Sequence, residues 1–174
     1  MQQRAGEEGS GCHRAEDQEV VGPLRLSALG IQWHVLAMFA PSFFTGYLMA
    51  RFGKERVTAV GLFIIAVSAV VALAGLQLAH FWVSLILLGI GWNFGFIGAT
   101  AMVTDCHTPA ERGKAQGAND FLVFGTVAAA SFFAGALLHA SGWQTINWLI
   151  FPAVAFILVP LVWQSARTSK AGRR

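Results

Sequence analysis

The sequence contains little charge, and that charge is unevenly distributed. Only 12% of its 174 residues are charged, whereas a soluble domain has roughly 25%. Asp, Glu, Lys and Arg are absent from two long stretches, residues 57–103 and 121–164. Because a helix crosses a hydrocarbon core of about 30 Å in about 20 residues, each stretch is long enough for two crossings. These absences exclude a soluble fold and predict a protein embedded in the lipid bilayer.

Cysteine and enzyme signatures are also scarce. Cys12 and Cys106 are far apart, and neither belongs to a pair with metal-ligand or redox spacing. The sequence has no HExxH motif, no P-loop and no glycine-flanked serine nucleophile. We therefore predict no enzyme activity, no metal site and no cofactor, and nothing indicates nucleic-acid binding.

The hydrophobic segments predict an all-α, polytopic membrane helix bundle. Between them, charge and turn residues mark the places where the chain leaves or reverses in the membrane. The predicted spans are residues 29–49, 57–78, 81–103, 121–138 and 143–163. Residues 1–28 form a polar segment without periodicity, which predicts a disordered tail. Residues 164–174 are predicted to be a basic cytoplasmic tail.

Lys and Arg are concentrated in alternate loops, which predicts the orientation in the membrane. The first loop, the third loop and the C-terminal tail are basic, whereas the turns at 78–80 and 139–141 contain no Lys or Arg. Since basic loops face the cytoplasm, we expect the C-terminus to be cytoplasmic and the N-terminus to lie outside.

The first span combines polar residues with a central proline. Pro41 predicts a kink, because proline has no N–H to continue the helical hydrogen bonds. Gln32 and His34 lie in the outer third of the span. Histidine can exchange a proton near neutral pH, so His34 and Gln32 are candidates for a proton-coupled or substrate-binding role. Placement at the membrane interface is the alternative.

The third span contains an amide and several glycines. Asn93 lies near its middle, where an amide must find a polar partner and usually faces the bundle interior or a cavity. We predict Asn93 as a substrate contact; an interhelical hydrogen bond without a ligand is the alternative. The four-residue spacing of Gly91 and Gly95 favours close helix packing over a flexible gating point.

Two segments carry a resemblance to a known family. The loop after the first span reads Gly46-Tyr-Leu-Met-Ala50-Arg51-Phe-Gly53-Lys54-Glu-Arg56. It resembles the short cytoplasmic loop between the second and third helices of each half of major facilitator superfamily transporters, with Ala50 where the family has an acidic residue. Residues 89–131 resemble the tenth helix, loop and eleventh helix of bacterial members. The resemblance implies a partial major-facilitator-type half, similar to helices eight to twelve.

Asp120 follows the basic third loop at the start of the fourth span. An acid near a helix N-terminus is electrostatically favoured, and this explains it without a partner. In the resembled family this region packs beside the basic loop, which implies that Asp120 pairs with Arg51 or Arg56. Arg112 is the neighbouring basic candidate for such charge pairing.

The resemblance implies secondary transport of a small solute across the bacterial inner membrane. In such transporters the substrate lies between two halves that move around it. We therefore expect a truncated or partial transporter whose partner is the missing half or a second copy of the chain. The alternative is a small membrane assembly subunit that binds a partner through its glycine-rich third helix and small-residue fourth helix.

Overall fold

The computed structural model describes residues 25–171, with side chains through Trp163. Every regular element in this range is an α-helix, which confirms the predicted all-α architecture. The helices are α1 (Arg25–Phe39), α2 (Ser42–Phe52), α3 (Lys54–Ala74), α4 (Leu78–Asp105) and α5 (Arg112–Ala171). Residues 1–24 of the predicted polar tail lie outside the described residues. Its last four residues, 25–28, form the first turn of α1.

Helices α1 and α2 form one apolar segment that bends at Ala40 and Pro41. The angle between them is 40°. Pro41 cannot donate a backbone hydrogen bond, and its ring disfavours a continuous helix. The kink predicted at Pro41 is therefore confirmed. Together the two helices are long and apolar enough to form one membrane span.

Helices α3, α4 and α5 are each long and apolar enough to cross a membrane. The apolar part of α5, Arg112–Trp163, contains 52 residues and would measure about 78 Å if it were straight. It breaks at Gly142, whose φ of 77° is favoured only for glycine. After the break, Asn147 and Val154 are only 6% and 8% exposed, so this second segment packs against the bundle. Helix α5 thus consists of two segments, residues 112–141 and 143–171.

Glycines bring the backbones of α3 and α4 into direct contact. A Cβ atom placed on Gly61 would lie 2.6 Å from the Gly95 nitrogen and 2.8 Å from the Gly91 oxygen. A Cβ atom on Gly91 would lie 2.7 Å from a side-chain carbon of Ile65. Small residues allow this approach, and close packing is a main source of stability between membrane helices. The packing role predicted for the glycines of the third span is supported.

Contacts at the two ends of the bundle show which loops share an end. At one end Lys54, the first residue of α3, makes an ion pair with Asp105, the last residue of α4. At the other end the Trp143 indole nitrogen donates a hydrogen bond of 3.2 Å to the carbonyl of Ala72. The first and third loops therefore lie at one end, and the break at Gly142 lies beside the end of α3.

Candidate functional site

The bend between α1 and α2 exposes backbone groups that a continuous helix would pair. The last carbonyl groups of a helix have no partner within it, and they require partners from elsewhere when they are inside a membrane. The Met38 carbonyl lies in the last turn of α1 and accepts a hydrogen bond of 2.6 Å from the Asn93 side-chain amide of α4. Asn93 thus satisfies a polar group that the bend leaves free.

Asn93 also binds the far side of the bend. Its Nδ2 donates a second hydrogen bond of 2.6 Å to the Ser42 hydroxyl. Its Oδ1 accepts a hydrogen bond of 2.7 Å from Thr45, whose hydroxyl also lies 2.8 Å from the Pro41 carbonyl. We call Met38, Ser42, Thr45 and Asn93 the Asn93 node. It connects both sides of the bend to the middle of α4.

The node is buried and uses most of the hydrogen-bonding capacity of its amide. Thr45 is 0% exposed and Asn93 is 3% exposed. A side-chain amide has two N–H donors and one carbonyl acceptor with two lone pairs. Both donors and one lone pair of Asn93 are occupied within the node. The amide therefore hydrogen bonds between helices, and its predicted role as a substrate contact remains a prediction.

A cavity of about 280 Å³ lies beside the node. Its walls come from the bend, from α4 and from the first segment of α5. The lining residues are Met38, Phe39, Ser42, Trp92, Asn93, Phe96, Ile97 and Phe124. Most of this surface is apolar or aromatic, and Ser42 and Asn93 are its two polar residues. Such a surface suits a small, largely apolar ligand with few hydrogen-bonding groups.

The aromatic walls of the cavity have a defined arrangement. The rings of Trp92 and Phe96 are nearly parallel, at an angle of 6° with centroids 6.1 Å apart. They are four residues apart on α4, so they lie on one face of the helix. Phe124 contributes a ring tilted by 53° to that of Phe96, with centroids 6.0 Å apart. Its position joins the first segment of α5 to the same wall.

The other residues predicted to bind substrate lie away from this cavity. Gln32 is on an exposed face of α1. His34 is partly buried, and its Nδ1 donates a hydrogen bond of 2.6 Å to the Leu85 carbonyl of α4. Neither residue lines the cavity with Asn93. Their predicted roles remain predictions, and the observed contact of His34 is one between helices.

The predicted cytoplasmic loop motif forms the tight connection between α2 and α3. Gly53 has a φ of 91° and ends α2, a conformation that L side chains rarely adopt. Lys54 pairs with Asp105 and also lies 3.4 Å from the Ala101 carbonyl. The Arg51 guanidinium lies over the Phe52 ring, 5.6 Å from its centroid.

The arginines and the first glycine of the motif have different environments. Arg51 donates a hydrogen bond of 3.2 Å to the Tyr47 hydroxyl one turn earlier. Arg56 lines a separate apolar cavity of about 360 Å³ with Phe52 and Phe94. A Cβ atom on Gly46 would meet no atom within 4 Å, so this glycine is not required by close packing within the described residues.

Asp120 accepts hydrogen bonds on its own helix. Gln116, one turn earlier, donates to it at 2.8 Å, and Asn119 does so at 3.4 Å. Arg112 is exposed at the start of α5, where its backbone N–H donates to the Thr108 carbonyl. Among the described residues, Asp105 of α4 is the acid that pairs with the basic loop. The pairing of Asp120 with Arg51 or Arg56 remains a prediction.

Sequence reasoning missed several residues of this region. Thr45 is one turn after Pro41, a position where its hydroxyl can reach the Pro41 carbonyl, and this spacing was a usable indication. Gly61 and Asp105 gave no such indication, because their partners depend on how α3 and α4 are rotated against each other. Those contacts appear only once the helices are packed.

Known proteins resemble the chain along most of its length. A family model described as Major Facilitator Superfamily matches residues 21–174. The chain is 77% identical over 136 residues to the riboflavin transporter RfnT of Brucella anthropi. This alignment covers 78% of this chain and 34% of that protein. It is 32% identical over 158 residues to the uncharacterized MFS-type transporter YdeG of Bacillus subtilis, covering 89% and 35%. No solved structure matches it.

A more distant relative is the drug efflux pump JefA of Mycobacterium tuberculosis, to which the chain is 29% identical over 134 residues. This alignment covers 74% of this chain and 26% of that protein. The chain spans about a third of the length of the curated relatives it matches first. The matches confirm the predicted family and agree with a family of transporters rather than enzymes. Its helices are apolar, and the family model covers the residues of the bend, the Asn93 node and the cavity. The chain therefore belongs to the Major Facilitator Superfamily.

Proposed function

We propose that this chain is part of a secondary transporter whose solute is riboflavin or a closely related flavin. The observation that carries the proposal is the 77% identity to a riboflavin transporter over 78% of the chain. The cavity beside the Asn93 node supports it, since its aromatic walls offer flat apolar surfaces for a planar ring.

The opposing surface of the transport path comes from other helices. Transporters of this type hold the solute between two helical halves that move around it. The chain contributes helices similar to the eighth to twelfth of such a protein, and the cavity is only partly enclosed by them. We propose that its partner is the remaining part of a transporter, with a second copy of the chain as the alternative partner.

The proposed membrane is the bacterial inner membrane, with the basic loops in the cytoplasm. The ion pair between Lys54 and Asp105 supports this orientation, because it brings the first and third loops to one end of the bundle. Both loops are basic in sequence, with Arg51, Lys54 and Arg56 in one and Arg112 and Lys114 in the other. The break at Gly142, which lacks nearby Lys and Arg, would then face outward.

A chimaeric transporter tests the proposed function directly. The third of the Brucella anthropi riboflavin transporter that aligns with this chain would be replaced by the chain itself. The chimaera would be expressed in a bacterium that cannot synthesise riboflavin, and uptake of labelled riboflavin would be measured. We expect uptake well above that of the same transporter with the aligned third deleted. A chimaera that reaches the membrane but takes up no riboflavin would contradict the proposal.

The assembly-subunit alternative predicts a different outcome. It requires a stable partner but no solute dependence. The first segment of α5 supports it, because most of its side chains are exposed in the isolated chain, including Phe121, Phe132 and Phe133. Cross-linking through this segment that is unchanged by riboflavin, together with an inactive chimaera, would favour the subunit.

A further inference from the structure

We propose that the cavity beside the Asn93 node binds a flat, fused aromatic ring system, with Trp92 and Phe96 as its stacking surface and Ser42 as its hydrogen-bonding group. In this proposal Asn93 is a positioning residue and does not contact the ligand. The ligand chemistry rests on the proposed flavin function, while the assignment of individual residues rests on the geometry of the cavity.

The stacking surface follows from the relative orientation of two rings. Trp92 and Phe96 are parallel within 6° and occupy successive turns of α4. A planar ligand that stacks on one of them is therefore aligned with the other. Both side chains are partly buried and line the cavity. Stacking of a planar base on an aromatic side chain is a strong and orientation-dependent contact.

The size of the cavity limits which part of the solute it can hold. Ligand pockets usually have volumes of about 300 to 1,000 Å³. The cavity, at about 280 Å³, lies just below that range. This volume suits the ring system of a flavin rather than the ring together with its polyol chain. The polyol would then lie outside the cavity.

The hydrogen-bond inventory selects Ser42 over Asn93 as the polar contact. Both N–H groups of Asn93 are directed to Met38 and Ser42. The Ser42 oxygen accepts one of these bonds and retains its own proton as a donor. Ser42 is also exposed, whereas Asn93 is 3% exposed. Asn93 therefore fixes the Ser42 hydroxyl at the cavity wall, and that hydroxyl can donate to a ring carbonyl or ring nitrogen.

Binding of lumiflavin, the flavin ring without the polyol, tests this assignment. The full chain would be purified in lipid nanodiscs and titrated with lumiflavin, following the quenching of flavin fluorescence. We expect Trp92→Leu and Phe96→Leu each to weaken binding about tenfold or more. Ser42→Ala is expected to weaken it about fivefold while the bound ring stays quenched. Trp148→Leu is the matched control, since Trp148 is 63% exposed and outside the cavity.

The role of Asn93 requires a readout beyond affinity. We expect Asn93→Ala to weaken lumiflavin binding about as much as Ser42→Ala, with no further loss in the double variant. If Asn93 contacted the ligand itself, the two losses would multiply, and the positioning role would be overturned. Circular dichroism of each variant separates these outcomes from unfolding. If Asn93→Ala does not fold, the lumiflavin affinities of Asn93→Asp, alone and combined with Ser42→Ala, provide the same comparison.

Other outcomes overturn the subsite without deciding the proposed function. Equal lumiflavin affinity in Trp92→Leu, Phe96→Leu and Trp148→Leu would reject it, as would a folded chain that binds no lumiflavin. Selective quenching of Trp92 by brominated acyl chains, unaffected by lumiflavin, would show that lipid fills the cavity instead. Riboflavin uptake by the chimaera could persist in each case. Conversely, Trp92-dependent lumiflavin binding with an inactive chimaera would support the subsite and reject the transport proposal.

Discussion

Helix α4 is held on two sides by different kinds of contact. Gly91 faces α3 and allows backbones to touch, whereas Asn93 faces the bend between α1 and α2 and hydrogen bonds across it. Residues two positions apart in an α-helix are separated by about 200° around its axis, so Gly91 and Asn93 point to opposite sides. On the α3 side the contact is close packing of backbones at Gly61 and Gly91, whereas the bend side adds a polar network next to a cavity to a second close approach at Gly89. Helix α4 is therefore packed tightly against α3 on one side and adjoins the cavity proposed to hold the solute on the other.

The largest expected effect on stability comes from disrupting the close packing of α3 on α4. Gly61→Ala places a Cβ atom against the backbones of Gly91 and Gly95, which cannot move without shifting α4. We expect it to lower the free energy of unfolding by about 3 kcal/mol, as overpacking of a tight core does. Denaturation with sodium dodecyl sulfate in mixed micelles, followed by circular dichroism, measures this change.

Gly95→Ala is the matched control for that prediction. Its Cβ atom would meet nothing within 4 Å, although the residue belongs to the same interface. Alanine also favours a helix over glycine, so stability should be unchanged or slightly higher. Equal destabilisation by the two substitutions would contradict backbone contact at Gly61 as the source of stability.

The next largest effect on stability comes from removing the hydrogen bonds of the Asn93 node. Asn93→Leu removes three hydrogen bonds and leaves the Met38 carbonyl and the buried Thr45 hydroxyl with fewer partners. We expect a loss of about 2 kcal/mol, within the usual range for unsatisfied buried groups. Hydrogen exchange should increase locally at residues 38–45, and mass spectrometry can locate that increase.

Asn147→Leu sharpens the interpretation of that loss. Asn147 is also buried, at 6% exposed, but its amide donates to the Trp143 carbonyl of its own helix. Its removal should leave exchange at residues 38–45 unchanged. If Asn147→Leu increased exchange there as much as Asn93→Leu, the Asn93 node would not be what holds the bend.

These two sides differ in how far the sequence predicted them. Charge gaps located the hydrophobic segments, and Pro41 located the bend, because both depend on local composition. An amide in mid-membrane must find partners, which is why Asn93 stood out before its partners were known. Gly61 did not, since glycine is ordinary in apolar helices. Its role arises from helix rotation and register, which one sequence does not fix.

A smaller effect is expected at the basic end of the bundle. Lys54 and Asp105 form an ion pair with side chains 36% and 59% exposed. Such pairs contribute about 0.2 to 1 kcal/mol in water. Lys54→Asp should destabilise the chain by about that amount, and adding Asp105→Lys should restore it. Exchanging the charges of Arg51 and Asp120 in the same way tests the pairing predicted from sequence. If only that second exchange restored stability, the observed pairing of Lys54 with Asp105 would be contradicted.

The smallest expected effect lies at the opposite end, where one indole joins α5 to α3. Trp143→Phe keeps an aromatic ring but removes the N–H that donates to the Ala72 carbonyl. Because Trp143 is 37% exposed, water can replace part of this bond, and we expect a loss of about 0.5 kcal/mol. The same denaturation assay measures it, with Trp148→Phe as the exposed control. A loss as large as that of Asn93→Leu would mean that the break at Gly142 depends on this bond, and that α5 is attached to the scaffold by polar contact rather than by packing.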